Sequence, residues 1–172
     1  PLGLATLAAL TPPDWQVAIY DENIEPVPER PEADIVGIGG MGVQVPRQLE
    51  LIAHYRALGY HVVVGGSAAS LCPENYEGIA DTVVSGEAEY IWPLFCRDFA
   101  AGTSAPLYRE TGTVDLADSP TPRFDLIKLR YYANATLQFS RGCPFVCEFC
   151  DIVVMFGRKP RIAANTSASM SS

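Results

Sequence analysis

The sequence predicts an α/β fold built on a doubly wound parallel sheet. Short apolar runs rich in Val and Ile alternate with stretches of helical periodicity, which is the pattern of strands and helices in turn. The runs are apolar throughout, as expected for a parallel sheet, because both faces of such a sheet are buried. Most of them also end in glycines, which suit the tight turns between strand and helix.

Four segments of the first hundred residues contain predicted strands: Trp15–Asp21, Ala33–Gly40, His61–Gly66 and the start of Asp81–Glu89. Between the second and third strands, Val45–Gly59 places its apolar residues at helical spacing and predicts a helix that stops at Gly59. The fourth strand is expected to lead directly into a helix that reaches Phe99.

Composition divides the chain into four parts. Residues 1–101 form the α/β domain, residues 102–134 a linker rich in Gly, Pro, Ser and Thr, residues 135–161 the start of a second domain, and residues 162–172 a polar tail. In the second domain, Thr136–Ser140 is a predicted strand, and Arg141-Gly142 turns it into a loop with three cysteines. The tail is low in complexity and is expected to be disordered.

Charge and cysteine usage exclude several classes of protein. The net charge is −8 and the acidic residues concentrate in the first 120 residues, which argues against a nucleic-acid-binding domain there. No apolar run reaches the length of about 18 residues that a membrane-spanning segment needs, so no transmembrane segment is expected. Three of the five cysteines fall close together, which argues against a disulfide scaffold and for a metal site in a reducing, cytoplasmic compartment.

The clustered cysteines are Cys143, Cys147 and Cys150, in the spacing Cys-x3-Cys-x2-Cys. Thiolates are the ligands of iron–sulfur clusters, and three of them leave one iron of a [4Fe–4S] cluster open to an outside ligand. The amino and carboxylate groups of S-adenosylmethionine suit that position. Zinc usually takes four protein ligands, and a redox pair of Cys147 and Cys150 leaves Cys143 unexplained. The remaining Cys72 and Cys96 are predicted to be buried apolar side chains.

Glycines mark the carboxyl ends of the predicted strands, at Gly39–Gly40, Gly65–Gly66 and Gly86. Ligands of open parallel sheets bind beyond these ends, where glycine lets the backbone approach a ligand closely. The three turns together favour a ligand site along this edge, although each glycine taken singly is also explained by a tight turn.

Two parts of the sequence carry a family resemblance. The segment QFSRGCPFVCEFCDIVVMFGRKPR, Gln138–Arg161, resembles the cluster loop of radical S-adenosylmethionine enzymes, with Phe149 as the aromatic residue before the last cysteine. The longer stretch TPRFDLIKLRYYANATLQFSRGCPF is similar to the subgroup with an N-terminal cobalamin-binding domain, which includes the hopanoid C-2 methylases. PLGLATLAALTP, ADIVGIGG, VVVGGSAASLCPE and SGEAE resemble landmarks of that domain. The resemblance covers about residues 1–161.

The resemblance implies a Rossmann-like cobalamin-binding domain followed by the start of a radical S-adenosylmethionine (β/α) barrel. It implies a [4Fe–4S] cluster on Cys143, Cys147 and Cys150, with S-adenosylmethionine and cobalamin as further cofactors. It also implies a methyltransferase acting on an unactivated carbon of a small-molecule or lipid substrate, with a flavodoxin or ferredoxin as reductant. No residue is assigned a catalytic role. The residues implied to line the cobalamin are Gly39, Gly40, Gly65, Gly66, Ser67, Ser85, Gly86 and Glu87.

Two departures from the family pattern leave alternatives open. The motif Asp-x-His-x-x-Gly, which supplies a histidine to cobalt in many cobalamin domains, is absent; His54 lies in a predicted helix and His61 opens a strand, so both are interpreted as structural. Cobalamin is then held without a protein histidine, or is not held. The family's first strand and most of its barrel are also missing, which implies an inactive, marginally folded fragment. The alternatives are a ligand-binding module without catalysis and a radical enzyme whose cobalamin-like domain is only structural.

Overall fold

Four parallel strands form the central sheet of the protein. The structure is a computed structural model that describes residues 1–134 and 136–163. The strands are β1 (Ile35–Gly39), β2 (His61–Gly65), β3 (Thr82–Ser85) and β4 (Leu107–Arg109), and they lie side by side in that order. A second, two-stranded antiparallel sheet pairs β5 (Ser140–Arg141) with β6 (Arg161–Ile162).

Three helices connect successive strands of the main sheet: α2 (Val45–Ala57), α3 (Ser67–Leu71) and α4 (Ala88–Ala100). A further helix, α1 (Leu2–Leu10), precedes β1, and a short α5 (Ile152–Phe156) follows the cysteine loop. The predicted stop of α2 is confirmed, because Gly59 lies in the left-handed region with φ of 88° just beyond the helix end. Among the described residues, none of these helices combines the length and the apolar character needed to cross a membrane.

The sheet is covered on both faces, and the side chains of β2, one of its two inner strands, are divided between two cores. Val62 and Val64 of β2 join the core that α2 and α3 close, whereas Val63 joins the core that α1 and α4 close. Successive side chains of a strand point to opposite faces, and burying each one fully is worth about 1.5–3 kcal/mol. The predicted α/β fold with a parallel sheet is confirmed.

The register of the sheet brings the glycine-bearing turns together. β1 and β2 pair from Ile35 with His61 to Gly39 with Gly65, so their carboxyl ends finish level with each other. β3 ends alongside them at Ser85. The turns that follow the first three strands therefore lie along one edge of the sheet, as the sequence predicts.

The predicted strand at Trp15–Asp21 is wrong. Its backbone forms no ladder with any strand that the structure describes. Trp15 instead packs edge-on against Phe99 of α4, with ring centroids 6.0 Å apart. The β-branched and aromatic residues of this segment suit an extended backbone, but a strand also needs a hydrogen-bonding neighbour, which local sequence cannot reveal.

The fourth strand lies within a stretch whose composition predicts only a linker. Leu107–Arg109 pairs with β3, from Val83 with Leu107 to Ser85 with Arg109. Three residues are too few for periodicity to show, and the neighbouring Gly, Pro and Ser dominate the composition of the stretch. The linker is also partly packed into the fold, because Val114 is fully buried.

The strand predicted at Thr136–Ser140 is shorter than expected and is displaced along the chain. Only Ser140 and Arg141 form a ladder, and they pair with Ile162 and Arg161. Ile162, expected in a disordered tail, is thus part of a strand. Residues 164–172 of that tail, together with Ala135, lie outside the described residues.

We expect Phe95→Ala to lower the free energy of unfolding by about 3–5 kcal/mol, because removal of a buried ring leaves a cavity. Phe95 is fully buried, and its ring contacts those of Trp92 and Tyr108 at centroid distances of 5.0 and 5.7 Å. Urea denaturation measures the change. The control is Leu94→Ala on the same helix, since Leu94 is 41% exposed. Equal losses in the two variants would contradict this description of the core.

Candidate functional site

The turns after β1 and β2 touch each other through two glycines. Gly66 has φ of 88°, and a Cβ atom placed on it would lie 2.9 Å from both the backbone N and the O of Gly40. Real Cβ atoms do not approach backbone that closely, so no larger residue fits at position 66 without a shift of one turn. The packing of the two turns explains these glycines without a ligand, which was the alternative left open by the sequence.

Ser70, which is not one of the residues predicted to line a ligand, connects the second and third turns. Its hydroxyl donates to the carbonyl oxygen of Gly66 at 2.8 Å and accepts from the backbone N–H of Gly86 at 2.9 Å. The Ser85 hydroxyl donates to the Ser70 carbonyl at 3.4 Å. The signal in the sequence is weak: Ser70 stands one helical turn after Ser67 on α3 and so faces the same way.

A cleft of about 160 Å³ opens beside these turns. It is lined by Gly66, Ser67, Ser70, Gly86, Met155 and Phe156. Three of the eight residues predicted to line cobalamin thus border it, while α5 supplies its other wall. Ligand pockets commonly measure about 300–1,000 Å³, so a ligand as large as a corrin fits only if α5 moves away from the glycine edge.

The other predicted lining residues lie around this cleft without bordering it. Gly39 and Gly65 are inside the strands, and Ser85 is buried at the end of β3. Gly40 is pressed against Gln48, whose Nε2 would lie 2.8 Å from a Cβ atom at position 40.

Gln48 itself carries a buried donor without a partner. The side chain is 2% exposed, and its Oε1 accepts a 2.6 Å hydrogen bond from the Tyr76 hydroxyl. Its Nε2, next to Gly40, has no hydrogen-bond partner among the residues described. Gln48 is not one of the residues that line the cleft, so this donor is not placed to contact a ligand bound there.

The cysteine loop is closed at its base by backbone contacts. The Cys143 N–H donates to the Gly157 carbonyl at 3.2 Å, just beyond the strand pair β5–β6. Gly142 has φ of 88°, and a Cβ atom on it would lie 2.5 Å from the Lys159 carbonyl oxygen. Only glycine fits at this crossing of the two ends of the loop, which explains the Arg-Gly-Cys sequence at this point.

The three loop thiols are free, and they differ in exposure. Cys143 and Cys150 are half-buried and Cys147 is exposed. Within residues 1–134 and 136–163, no three His, Cys, Asp or Glu side chains lie close enough together to hold a metal ion. The donors are of the type that an iron–sulfur cluster requires, but their sulfurs are not gathered. Their role as metal ligands remains a prediction.

Apolar side chains of the loop face solvent. Phe145 and Val146 are each 71% exposed, and Phe149 is 91% exposed. These three side chains therefore do not anchor the loop to the α/β domain.

Buried ion pairs connect the base of the cysteine loop to the turn after β3. Glu87 accepts from Arg141 at 2.6 Å and from Arg161 at 2.9 Å, and Glu89 accepts from Arg141 at 2.7 Å. The side chains of the four residues are between 3% and 13% exposed. We call this set the Glu–Arg cluster. It commits both carboxylates to arginines, so Glu87 presents no free carboxylate to the cleft.

The charges of the Glu–Arg cluster are mutually stabilised. Burial alone would raise the pKa of Glu89, but the hydrogen bond and charge of Arg141 outweigh burial and hold that pKa below its ordinary value. The same contacts raise the pKa of Arg141 against the opposing effect of burial. Removing one partner of a buried pair typically costs about 3–5 kcal/mol, because the other charge is left uncompensated.

Both histidines lie away from the glycine edge in contacts of their own. His61 begins β2 and therefore stands at the amino end of the sheet, where its Nε2 lies 3.1 Å from the Thr82 hydroxyl. Burial lowers its pKa. His54 lies in α2, and its Nε2 is 3.0 Å from the Glu29 carbonyl oxygen. Neither position suits a ligand bound at the carboxyl ends of the strands.

The two isolated cysteines differ from each other. Cys96, on the buried face of α4, is 1% exposed as predicted, and burial raises the pKa of its thiol to about 12. The prediction that Cys72 is buried is wrong. Cys72 is the residue that follows α3, just before Pro73, and it is exposed whereas Pro73 is buried.

Comparison with known proteins identifies relatives across nearly the whole chain. An uncharacterized methyltransferase of Synechocystis sp. is 41% identical over 164 residues. The hopanoid C-2 methylase of Rhodopseudomonas palustris is 29% identical over 168 residues, and the bacteriochlorophyllide d C-8(2)-methyltransferase of Chlorobaculum tepidum is 28% identical over 176 residues. Each match includes 94% of this chain.

The chain spans about one third of the length of these relatives, from 31% to 38%. No protein-family model matches it. A solved N-terminal domain of a hypothetical protein from Thermotoga maritima has a TM-score of 0.42 and 19% identity, with 62% of this chain and 88% of that domain covered. Over nearly all of its length, the chain is a relative of the methyltransferases that include the hopanoid C-2 methylase.

Proposed function

We propose that the chain supplies the cluster loop and the cobalamin-binding-like domain of a radical S-adenosylmethionine methyltransferase. The observation that carries the proposal is the spacing of Cys143, Cys147 and Cys150 in a chain related to methyltransferases. The three free thiols and the closed base of their loop support it. The sulfurs must still converge when iron binds, because they are apart in the present conformation.

In this proposal the thiolates of Cys143, Cys147 and Cys150 would hold a [4Fe–4S] cluster that also binds S-adenosylmethionine. When bound, such a cluster supplies the electron that cleaves a sulfur–carbon bond of S-adenosylmethionine. The chain's own contribution is to supply thiolates and to fix the loop between Arg141 and Arg161. The reaction is methylation of an unactivated carbon in a small-molecule or lipid substrate, in the cytoplasm, with a flavodoxin or ferredoxin as reductant.

A second candidate concerns the α/β domain alone. The cleft at the glycine edge measures about 160 Å³, and Phe156 and Met155 form one of its walls. This observation favours a radical enzyme whose cobalamin-like domain is structural and holds no cobalamin. Such an enzyme would bind iron but no cobalamin. A ligand-binding module without catalysis would instead bind cobalamin but no iron.

We expect anaerobic reconstitution of the chain with iron and sulfide to give about four irons per chain and a broad absorption band at about 400 nm. Cys147→Ala should abolish both, because only two thiolates would remain in the loop. Iron content and absorbance measure the result.

Cys72→Ala is the matched control for the cysteine variants, because Cys72 is also an exposed, free thiol but lies outside the loop. It should leave iron content unchanged. A normal cluster in Cys147→Ala, or loss of iron in Cys72→Ala, would show that the ligands are assigned wrongly.

We expect Ser67→Leu to abolish cobalamin binding if the cleft is the site, because the added side chain fills a space that Ser67 borders. Equilibrium dialysis with hydroxocobalamin measures the affinity. Ser67 suits this test better than Gly66, since a side chain at Gly66 meets Gly40 and would disturb the fold itself. Ser104→Leu, between α4 and β4, is the control.

Three results of the cobalamin experiment are informative. No binding by the unaltered chain favours the structural role of the domain. Equal affinity in Ser67→Leu and the unaltered chain would place the ligand elsewhere. If cobalamin binds, His54→Ala and His61→Ala should leave its absorption spectrum unchanged, because neither histidine lies at the glycine edge.

A further inference from the structure

The Glu–Arg cluster joins parts of the chain that are far apart in sequence. Arg141 pairs with residues 52 and 54 positions before it, and Arg161 pairs with a residue 74 positions before it. The two arginines are themselves neighbours across the β5–β6 ladder. Both ends of the cysteine loop are therefore attached to the short segment Glu87–Glu89.

This segment is itself rigidly placed. Glu87 is the residue that precedes α4, and it follows β3 by one glycine. The linker also contributes, because the Ser119 hydroxyl donates to Glu89 at 2.9 Å and Arg161 donates to the Val114 carbonyl at 2.6 Å. The cluster is thus built on the carboxyl edge of the main sheet and not on an exposed surface.

The Glu–Arg cluster contains equal numbers of positive and negative charges, and its contacts fix the orientation of the side chains. Two carboxylates meet two guanidiniums, and Arg141 reaches one carboxylate with each of its terminal nitrogens. A guanidinium has a planar array of donors, so such contacts fix orientation as well as distance. Buried ion pairs add little stability compared with apolar side chains of the same volume. Orientation is therefore the better explanation for placing four buried charges here.

The cluster also orients α5 beside the cleft. Arg161 donates to the Phe156 carbonyl at 3.2 Å, and the Arg141 guanidinium lies 5.9 Å from the centroid of the Phe156 ring. Phe156 in turn borders the cleft with Gly66 and Gly86. The same two arginines thus set the position of the cysteine loop and of the segment that covers the glycine edge.

We propose that Glu87 and Glu89 are positioning residues, which hold the cysteine loop and α5 at the carboxyl edge of the sheet through Arg141 and Arg161. Their place in a reaction rests on the proposed function, because a loop fixed at this edge would carry a cluster on the side of the sheet where the other cofactor is proposed to bind. The attachment itself requires no cofactor and is measurable in the metal-free chain.

Hydrogen–deuterium exchange of the full 172-residue chain, without iron, tests the attachment. In Glu87→Gln and in Glu89→Gln, amides of residues 140–162 should exchange about tenfold faster or more, since the uncompensated arginines leave their buried positions. Amides of β2 and β3 should keep their rates. Glu50→Gln is the matched control, because Glu50 pairs with Arg47 at the surface and should change neither region.

The double variant Glu87→Gln/Arg161→Gln tests the charge balance directly. It should exchange more slowly in residues 140–162 than Glu87→Gln alone, because no unpaired charge remains buried. Faster exchange throughout the sheet in Glu87→Gln would reveal a general stabilising role and would overturn the proposal. Unchanged exchange in residues 140–162, or no recovery in the double variant, would overturn it as well.

Iron binding by the unaltered chain separates this proposal from the proposed function. If the variants exchange as expected but the unaltered chain binds no iron, the attachment of the loop is supported and the iron–sulfur cluster is contradicted. If the unaltered chain binds iron but Glu87→Gln and Glu89→Gln leave exchange in the loop unchanged, the iron–sulfur cluster is supported and the positioning role is contradicted. If Glu87→Gln fails to fold, Glu89→Gln decides the result, because Glu89 contacts only one of the two arginines.

Discussion

The need to cover both faces of a parallel sheet organises this protein. In β2, Val62 and Val64 pack in one core and Val63 packs in the other. Helices must then cross above and below the sheet, and each crossing returns the chain in the same direction. All the turns that leave the strands consequently open at one edge. The cleft, the hydrogen bonds of Ser70 to Gly66 and Gly86, and the Glu–Arg cluster all lie at this edge because the topology brings these turns together.

Local sequence predicts the elements that depend only on residues close together in the chain. The helix α2 and its end at Gly59 follow from apolar spacing and one glycine. Pairing between strands depends on residues far apart in the chain. For this reason Trp15–Asp21 has the composition of a strand but no ladder, and the three residues of β4 have the composition of a linker but pair with β3. The Glu–Arg cluster cannot be predicted from local sequence for the same reason. Its partners lie more than fifty positions apart, although a Glu-x-Glu pair and arginines on both sides of the cysteines were visible.

The candidate site illustrates how one residue type can serve two purposes. Gly66 and Gly40 stand where a ligand of an open sheet would bind, yet their mutual contact already requires glycine. The sequence could not separate these explanations because it contains no distances. The cysteine loop is the opposite case. Its three cysteines specify the chemistry of the donors, but their spacing in sequence does not bring the sulfurs together in the part of the chain that the structure describes.

The difference between the cysteines has a practical consequence. Four of the five thiols are at least partly accessible, whereas Cys96 lies on the buried face of α4, where burial raises its pKa to about 12. A thiolate, not a thiol, attacks an alkylating or disulfide reagent. A water-soluble reagent therefore counts four reactive groups in the native metal-free chain, and the fifth appears only when the second core opens. The chain thus carries a built-in chemical reporter of its own unfolding.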